Sequence, residues 1–275
     1  MSVTALLEAR YGAAPDFVLP ALSARAEAVL ETVLSHRTVR HYRDVPLPAG
    51  TLELLVAAAQ SASTTSNLQA WSVVAVEDAG RRGRLAALAG GQEHVAKAPL
   101  VLMWVADLAR LRTIAHANGK SGEGLDYVES FLIASLDAAL AAQNAAVALE
   151  GLGLGCCYIG GMRNHPEEVA AELALPPDTF VTFGMSIGIP AENLTTEMKP
   201  RLPQTAVLHR EQYSTGGTPR SLDAYDERLT EFQLRQKMTP IGWTRQMANR
   251  IGERASLKGR DRLKAVLHSF GFKLG

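Results

Sequence analysis

Apolar and polar positions alternate along this chain in two rhythms, and each predicts a set of elements. Four short apolar runs are of strand type: Trp71–Val76, Leu100–Val105, Cys156–Ile159 and Phe180–Gly188. The run from Leu100 is apolar on both faces, which predicts a central strand. Helical spacing covers about residues 1–35, broken near Pro15 and Pro20 and restarting at Ser23 as an N-cap. It returns over Leu52–Ser61 (opened by Pro48), Ala79–Ala89 (closed by Gly90-Gly91), Ala106–Ala117, Tyr127–Gly151 and Pro166–Ala174. The polar stretches between these are loops: Ser61–Asn67, Gln92–Ala98, Asn118–Gly124 and the irregular Asn193–Pro203. The last part reads as charged helices, Leu222–Lys237, Ile241–Ile251 and Arg260–Phe270, without a strong apolar stripe.

The helix Tyr127–Gly151 is rich in alanine and apolar round most of its circumference. Such a helix is expected to be buried all round, in a large core or across a subunit interface. Its stretch Phe131–Leu149 has the length of a membrane span, but Asp137, Gln143 and Asn144 would then lie in hydrocarbon. A buried helix of a soluble protein is the better reading. With no internal repeat and no low-complexity linker, the expectation is one α+β domain over residues 1–275. Residues 1–30 would be a helical extension and residues 215–275 a helical excursion over the core.

Composition narrows the function classes. The 275 residues are 47% hydrophobic, with 28 basic against 28 acidic side chains. A nucleic-acid binder would show a basic excess, so any anion site must be local. Cys156 and Cys157 are adjacent and do not make a secreted disulfide framework, which favours a reducing compartment and a cytoplasmic location. The N-terminus carries Glu8 and Arg10 early and does not read as a signal peptide. The two thiols are expected to be buried and inert.

Four groups of residues could carry chemistry. His36-Arg37-Thr38-Val39-Arg40 places an imidazole, two guanidiniums and a hydroxyl in five residues, as half of an anion site would. The others are the hydroxyl loop up to Asn67, the glycine corner Tyr158–Arg163, and Lys199-Pro200-Arg201. Each alone also fits a solvated loop or a turn. Gly151-Leu-Gly-Leu-Gly155 precedes a strand rather than a helix, so it fails the context of a dinucleotide fingerprint. Gly119-Lys120-Ser121 lacks the upstream glycine and strand of a phosphate loop. The histidines show no metal-ligand spacing, and no metal is expected. Gly184-Met185-Ser186-Ile187-Gly188 matches a nucleophile elbow by letter, but its apolar flanks suit a buried strand better.

Taken in order, these groups resemble the FMN-dependent nitroreductase/flavin reductase family. The residues concerned are His36-Arg37-Thr38 with Arg40, then Thr64-Thr65-Ser66-Asn67-Leu68-Gln69, then Gly90-Gly91-Gln92 with His94-Val95. Tyr158-Ile159-Gly160-Gly161 with Arg163-Asn164, Gly188 with Pro190-Ala191, and Lys199-Pro200-Arg201-Leu202-Pro203 follow. Within the family the chain is most similar to the larger NADPH-preferring, oxygen-insensitive group. The likeness covers about residues 30–213 and fades beyond.

The resemblance implies a mixed central sheet wrapped by helices, and an intertwined homodimer with FMN at the interface. It implies that His36, Thr38, Lys199 and Arg201 hold the FMN phosphate, with Arg37 nearby, and that Arg40 lies by the ring edge and tunes the flavin. Gln92 would bind the pyrimidine edge. Tyr158, Ile159, Gly160, Gly161 and Met162 would pass close to the ring. Arg163 would either reach a phosphate or close a structural ion pair. Thr64, Thr65, Ser66 and Asn67 would come from the partner subunit. Asn67 stands where the family often has an aromatic residue, which should change the acceptor pocket. NADPH, with NADH as a second donor, would meet the basic loop holding Arg235 and Lys237, and Arg260 would contact substrate. No side chain is needed as a catalytic acid or base, because the flavin carries the hydride. The implied activity is ping-pong two-electron reduction of nitroaromatics and quinones. Alternatives are supply of free reduced FMN and flavin binding without turnover.

Overall fold

A computed structural model describes residues 1–192, 195–214 and 218–275, with backbone alone over 218–221. In chain order the helices are α1 (Val3–Tyr11), α2 (Ala24–Leu34) and α3 (Thr51–Gln60), followed by strand β1 (Trp71–Val76). Next come α4 (Ala79–Leu88), α5 (Glu93–Lys97), β2 (Leu100–Asp107), α6 (Ala109–Ala117), α7 (Val128–Gly151) and β3 (Gly155–Ile159). The chain ends with α8 (Pro166–Glu172), β4 (Thr179–Gly188), α9 (Thr218–Arg235), α10 (Trp243–Ile251) and α11 (Leu263–Ser269). The chain forms two compact units, residues 1–37 with 195–257, and residues 38–194 with 258–275. The boundary falls inside the basic pentapeptide, between Arg37 and Thr38.

The second unit holds the sheet, in the order β1-β2-β4-β3. Every residue of β2 is buried, as a central strand requires. The α+β class holds, but the sheet expected to be mixed is antiparallel at all three pairings. β2 and β3, joined through α6 and α7, run in the same direction but are separated by β4, which pairs antiparallel with both, so no two parallel strands are hydrogen-bonded.

One face of α7 lies in the main core. Ala138, Ala141, Ala142, Ala145, Ala146 and Leu149 pack with Leu55 and Ala59 of α3 and with Trp104 of β2. Alanine at these positions lets the helix backbone approach the sheet closely. The opposite side is not covered by this chain, so of the two expected modes of burial its own core accounts for one face only. Val128, Leu132, Leu136 and Leu140 recur every fourth residue and are each about half exposed. They form one apolar stripe, since residues four apart share a helix face. Among the described residues α7 is also the one helix long and apolar enough to cross a membrane, and its alanine face is packed in this core.

The first unit contains α1, α2, α9 and α10. Ser23 caps α2 as expected, its hydroxyl accepting from the Ala26 N–H. Helix α9 is not without a stripe: Tyr225, Leu229 and Phe232 are buried at helical spacing. Charged neighbours such as Glu227 and Glu231 dilute this pattern in the sequence. Two local readings also change. Residues 93–97 form the short helix α5 rather than a loop, and Gly50 at φ 80°, not Pro48, stands at the start of α3. Of the irregular stretch expected over 193–203, residues 193 and 194 lie outside the described residues, and 195–203 carry no helix or strand.

Candidate cofactor site

In the second unit the later half of the pentapeptide is laid along the sheet. The Val39 N–H donates to the Cys156 carbonyl (2.9 Å), the Arg43 N–H to Ile189 (2.9 Å), and the Ala191 N–H to His41 (3.0 Å). Val39 turns inward and is buried, while Arg40 turns out and is exposed. The fit is tight at two glycines. A Cβ on Gly155 would sit 2.6 Å from Val39, and one on Gly188 would sit 2.7 Å from the Tyr42 ring. These glycines therefore permit the pentapeptide to dock.

The glycine corner follows β3. A Cβ on Gly161 would lie 2.5 Å from the Ala89 carbonyl and 2.6 Å from Gln92 Nε2. Gln92 and the corner backbone are thus brought together. The Gln92 amide is held on both sides: Nε2 donates to Ala89 O (2.8 Å) and Oε1 faces His94 Nε2 (3.1 Å). The opposite ring nitrogen of His94 lies 3.0 Å from Ser186 Oγ, which in turn lies 2.9 Å from the Tyr42 hydroxyl. With Gln92 Oε1 as acceptor, His94 Nε2 must carry the proton and Nδ1 accepts from Ser186. Burial pushes the His94 pKa down to about 4, helped by the positive charges of Arg40 and His41. Arg40 is therefore electrostatically close to the residue that orients Gln92.

The other corner residues differ in what they can offer. The side chains of Ile159 and Met162 are in the core, leaving only their backbone for a ligand. Tyr158 packs against Phe183 with ring centroids 5.3 Å apart and the planes tilted by 48°, and burial raises its hydroxyl pKa. Arg163 Nη1 donates to the Thr182 carbonyl. Arg260 reaches the corner through Asn164, with Nε to Oδ1 at 2.9 Å, and the Asn164 N–H donates to Gly161 O. Cys156 and Cys157 are buried thiols outside any disulfide, and desolvation pushes Cys156 up to about 12.

The hydroxyl loop stands apart from this group. Asp137 of α7, fully buried, accepts from the Thr65 N–H (3.0 Å) and the Ala70 N–H (3.3 Å). Between these anchors Ser66, Asn67 and Gln69 all have φ near +50°, a strained turn for residues with side chains. Thr64 and Asn67 line a cavity of about 550 Å³ with Trp71 and Arg110. Sequence reading noted Asp137 only as a polar group in an apolar helix. Its role is anchorage, and a single buried carboxylate facing a loop was the available signal.

In the first unit His36, Arg37, Lys199 and Arg201 are presented by two loops that meet at α1. Lys199 and Arg201 edge a cavity of about 540 Å³ whose apolar wall includes Tyr225, Phe232 and Trp243. Arg235 pairs with Glu197 at 3.0 Å, and Gln236 Nε2 donates to Thr195 O. Lys237 is exposed at φ 54°. Among the described residues none of Arg37, Arg40 and Arg201 is in an ion pair. In the first unit the exposed guanidiniums of Arg37 and Arg201, without a carboxylate, suit an anionic group; in the second, exposed Arg40 and a glycine backbone beside an amide suit a flat polar ring. Each set, within its own unit, fits one part of FMN, the phosphate or the ring.

Known proteins resemble this chain in sequence and fold. The family model for the nitroreductase family matches residues 33–189, and that for the nitroreductase family C-terminal domain matches residues 199–275. The chain belongs to the nitroreductase family. It is 39% identical over 206 residues to an FMN reductase (NADPH) of Bacillus subtilis, covering 74% of this chain and 82% of that protein. It is 38% identical over 205 residues to an oxygen-insensitive NADPH nitroreductase of Salmonella typhimurium, with the same coverage of 74% and 82%. The solved structure of NfrA1 from B. megaterium is 38% identical, with a TM-score of 0.84 over 90% of this chain and 99% of that one.

Proposed function

We propose that the chain is an FMN-dependent NAD(P)H oxidoreductase that reduces nitroaromatics and quinones by a ping-pong route. The observation that carries this is the set of carboxylate-free guanidiniums at Arg37, Arg40 and Arg201, on loops that match the family's motifs. His36, Arg37, Thr38, Lys199 and Arg201 would hold the phosphate. Several charge-assisted donors suit a dianion, each worth about 1.5–3 kcal/mol when well made. Arg40 would face the ring edge that gains negative charge on reduction, so its cation favours the reduced state. Gln92, fixed by His94 and Ala89, would bind the pyrimidine edge. The Gly160-Gly161 backbone would meet the ring, and Arg260 would contact the bound substrate. The flavin supplies the two-electron hydride chemistry when bound, so no protein acid or base is assigned.

The half-exposed stripe Val128–Leu140 supports a homodimer, with Thr64–Asn67 reaching the partner's cofactor. NADPH is the donor in the reading that the relatives' names support, with Arg235 and Lys237 near its phosphate. The chain is read as acting in the cytoplasm, in line with two cysteines outside any disulfide. Initial rates at varied NADPH and nitrofurazone test the route: parallel double-reciprocal lines are expected, and converging lines would contradict it. The name of the B. subtilis relative favours a second reading, supply of free reduced FMN. Faster oxidation of the reduced enzyme by free FMN than by nitrofurazone would select it.

A further inference from the structure

We infer that Arg10, on the N-terminal helix, is a positioning residue that holds the two loops of the phosphate site in register. The inference rests on the assignment of His36, Lys199 and Arg201 to the FMN phosphate. Arg10 lies outside both stretches that match the family models, which begin at residues 33 and 199. It nevertheless joins the start of one to the start of the other.

The geometry is specific. Arg10 is 5% exposed, too enclosed to reach a ligand itself. Its Nε and Nη2 donate to the Leu34 carbonyl at 3.1 and 2.9 Å. Nη2 also donates to the His36 carbonyl at 2.5 Å, and Nη1 donates to the Lys199 carbonyl at 2.8 Å. The backbone takes part too, since the Arg201 N–H donates to Arg10 O at 3.0 Å. One residue therefore grips both loops, through its side chain and through its main chain.

Each bond has a reason. Leu34 is the last residue of α2, and its carbonyl is one of the acceptors a helix end leaves unsatisfied. A cation at that end also complements the helix dipole. The planar fork of a guanidinium can serve three carbonyls in different directions, which an ammonium cannot do with fixed geometry. The 199–201 loop is pinned further where the Tyr225 hydroxyl meets the Pro200 carbonyl at 3.3 Å. Arg10 lies at the end of α1, which Ser2 caps at its start and Gly12 closes at φ 76°. The helix thus delivers one buried side chain to a fixed place. Phosphate ligands on loops gain precision from such a supporting contact.

The test compares FMN with riboflavin, which lacks the phosphate. Apoprotein of the full-length chain is titrated with each by fluorescence quenching, for wild type, Arg10→Met, Arg10→Lys and the pair Lys199→Ala/Arg201→Ala. Arg10→Met is expected to weaken FMN by about tenfold or more while riboflavin affinity stays within about twofold. Arg10→Lys is expected to fall between. If Arg10→Met does not fold, Arg10→Lys carries the test: a loss of FMN preference supports the inference, and an unchanged preference overturns it. Parallel weakening of FMN and riboflavin would make Arg10 a general stability residue and overturn the inference. Loss of FMN preference in the Lys199/Arg201 pair but not at Arg10 would also overturn it, with the phosphate assignment intact. Full FMN preference in the Lys199/Arg201 pair would overturn the assignment itself, and the inference with it.

Discussion

His94 Nε2 stands 3.1 Å from Gln92 Oε1, and this contact decides which way the Gln92 amide faces. The lowered pKa keeps the imidazole neutral near pH 7, so Nδ1 accepts from Ser186 on the other side. Burial and the charges of Arg40 and His41 lower the His94 pKa from 6.5 to about 4. A histidine whose folded pKa is depressed contributes stability that is present above pH 6.5 and is lost as pH falls towards 4. His94→Asn should therefore flatten the fall in urea midpoint between these two pH values. A variant as acid-sensitive as wild type would contradict this.

Arg37 and Arg40 lie in different compact units, and the proposed function gives them different work. Arg37→Ala should weaken FMN retention by about ten- to a hundredfold, the value of one charge-assisted bond. Arg40→Ala should keep FMN bound but lower its reduction potential, by about 30 mV for each 1.4 kcal/mol of lost preference for the reduced form. Retention and potential are measured on the same preparations. Equal effects of both substitutions on both readouts would show that the cluster is not divided.

Asp137 accepts two backbone N–H groups from the loop that carries Thr64–Asn67. Asp137→Leu leaves those donors unsatisfied, at about 1–3 kcal/mol for each buried group. Asp137→Asn retains one acceptor and should lose less. Urea denaturation of the three proteins checks the order, and a stable leucine variant would remove the anchoring role.

The stripe on α7 predicts assembly. Leu132 and Leu136 are each about half exposed in the single chain. The double change Leu132→Glu/Leu136→Glu should convert a dimer to a monomer in light scattering, and FMN should be lost with it. A dimeric, yellow double variant would place the interface elsewhere.

Much of the fold was legible because local rules and packing agree. β1 was read to the residue from its apolar run, and β2 was read as central because it is apolar on both faces. The motifs around Gln92 and Gly161 were legible because close backbone approach demands glycine. What stayed hidden depends on tertiary partners. Nothing local says that Arg10 meets the carbonyls of His36 and Lys199, nor that His94 orients Gln92. The stripe of α9 was masked by its charged neighbours. Which face of α7 enters this chain's core could not be read because alanine and leucine score alike as apolar, although Ala138, Ala142, Ala145 and Leu149 enter it while Leu132, Leu136 and Leu140 do not.

The most direct measurement is an anaerobic titration of the purified protein with NADPH, following the visible flavin band, and then addition of nitrofurazone. The account predicts a yellow protein that bleaches with one equivalent of NADPH per bound flavin and recovers its colour with nitrofurazone. A protein that binds FMN but does not bleach, or one that takes up no FMN at all, would contradict it.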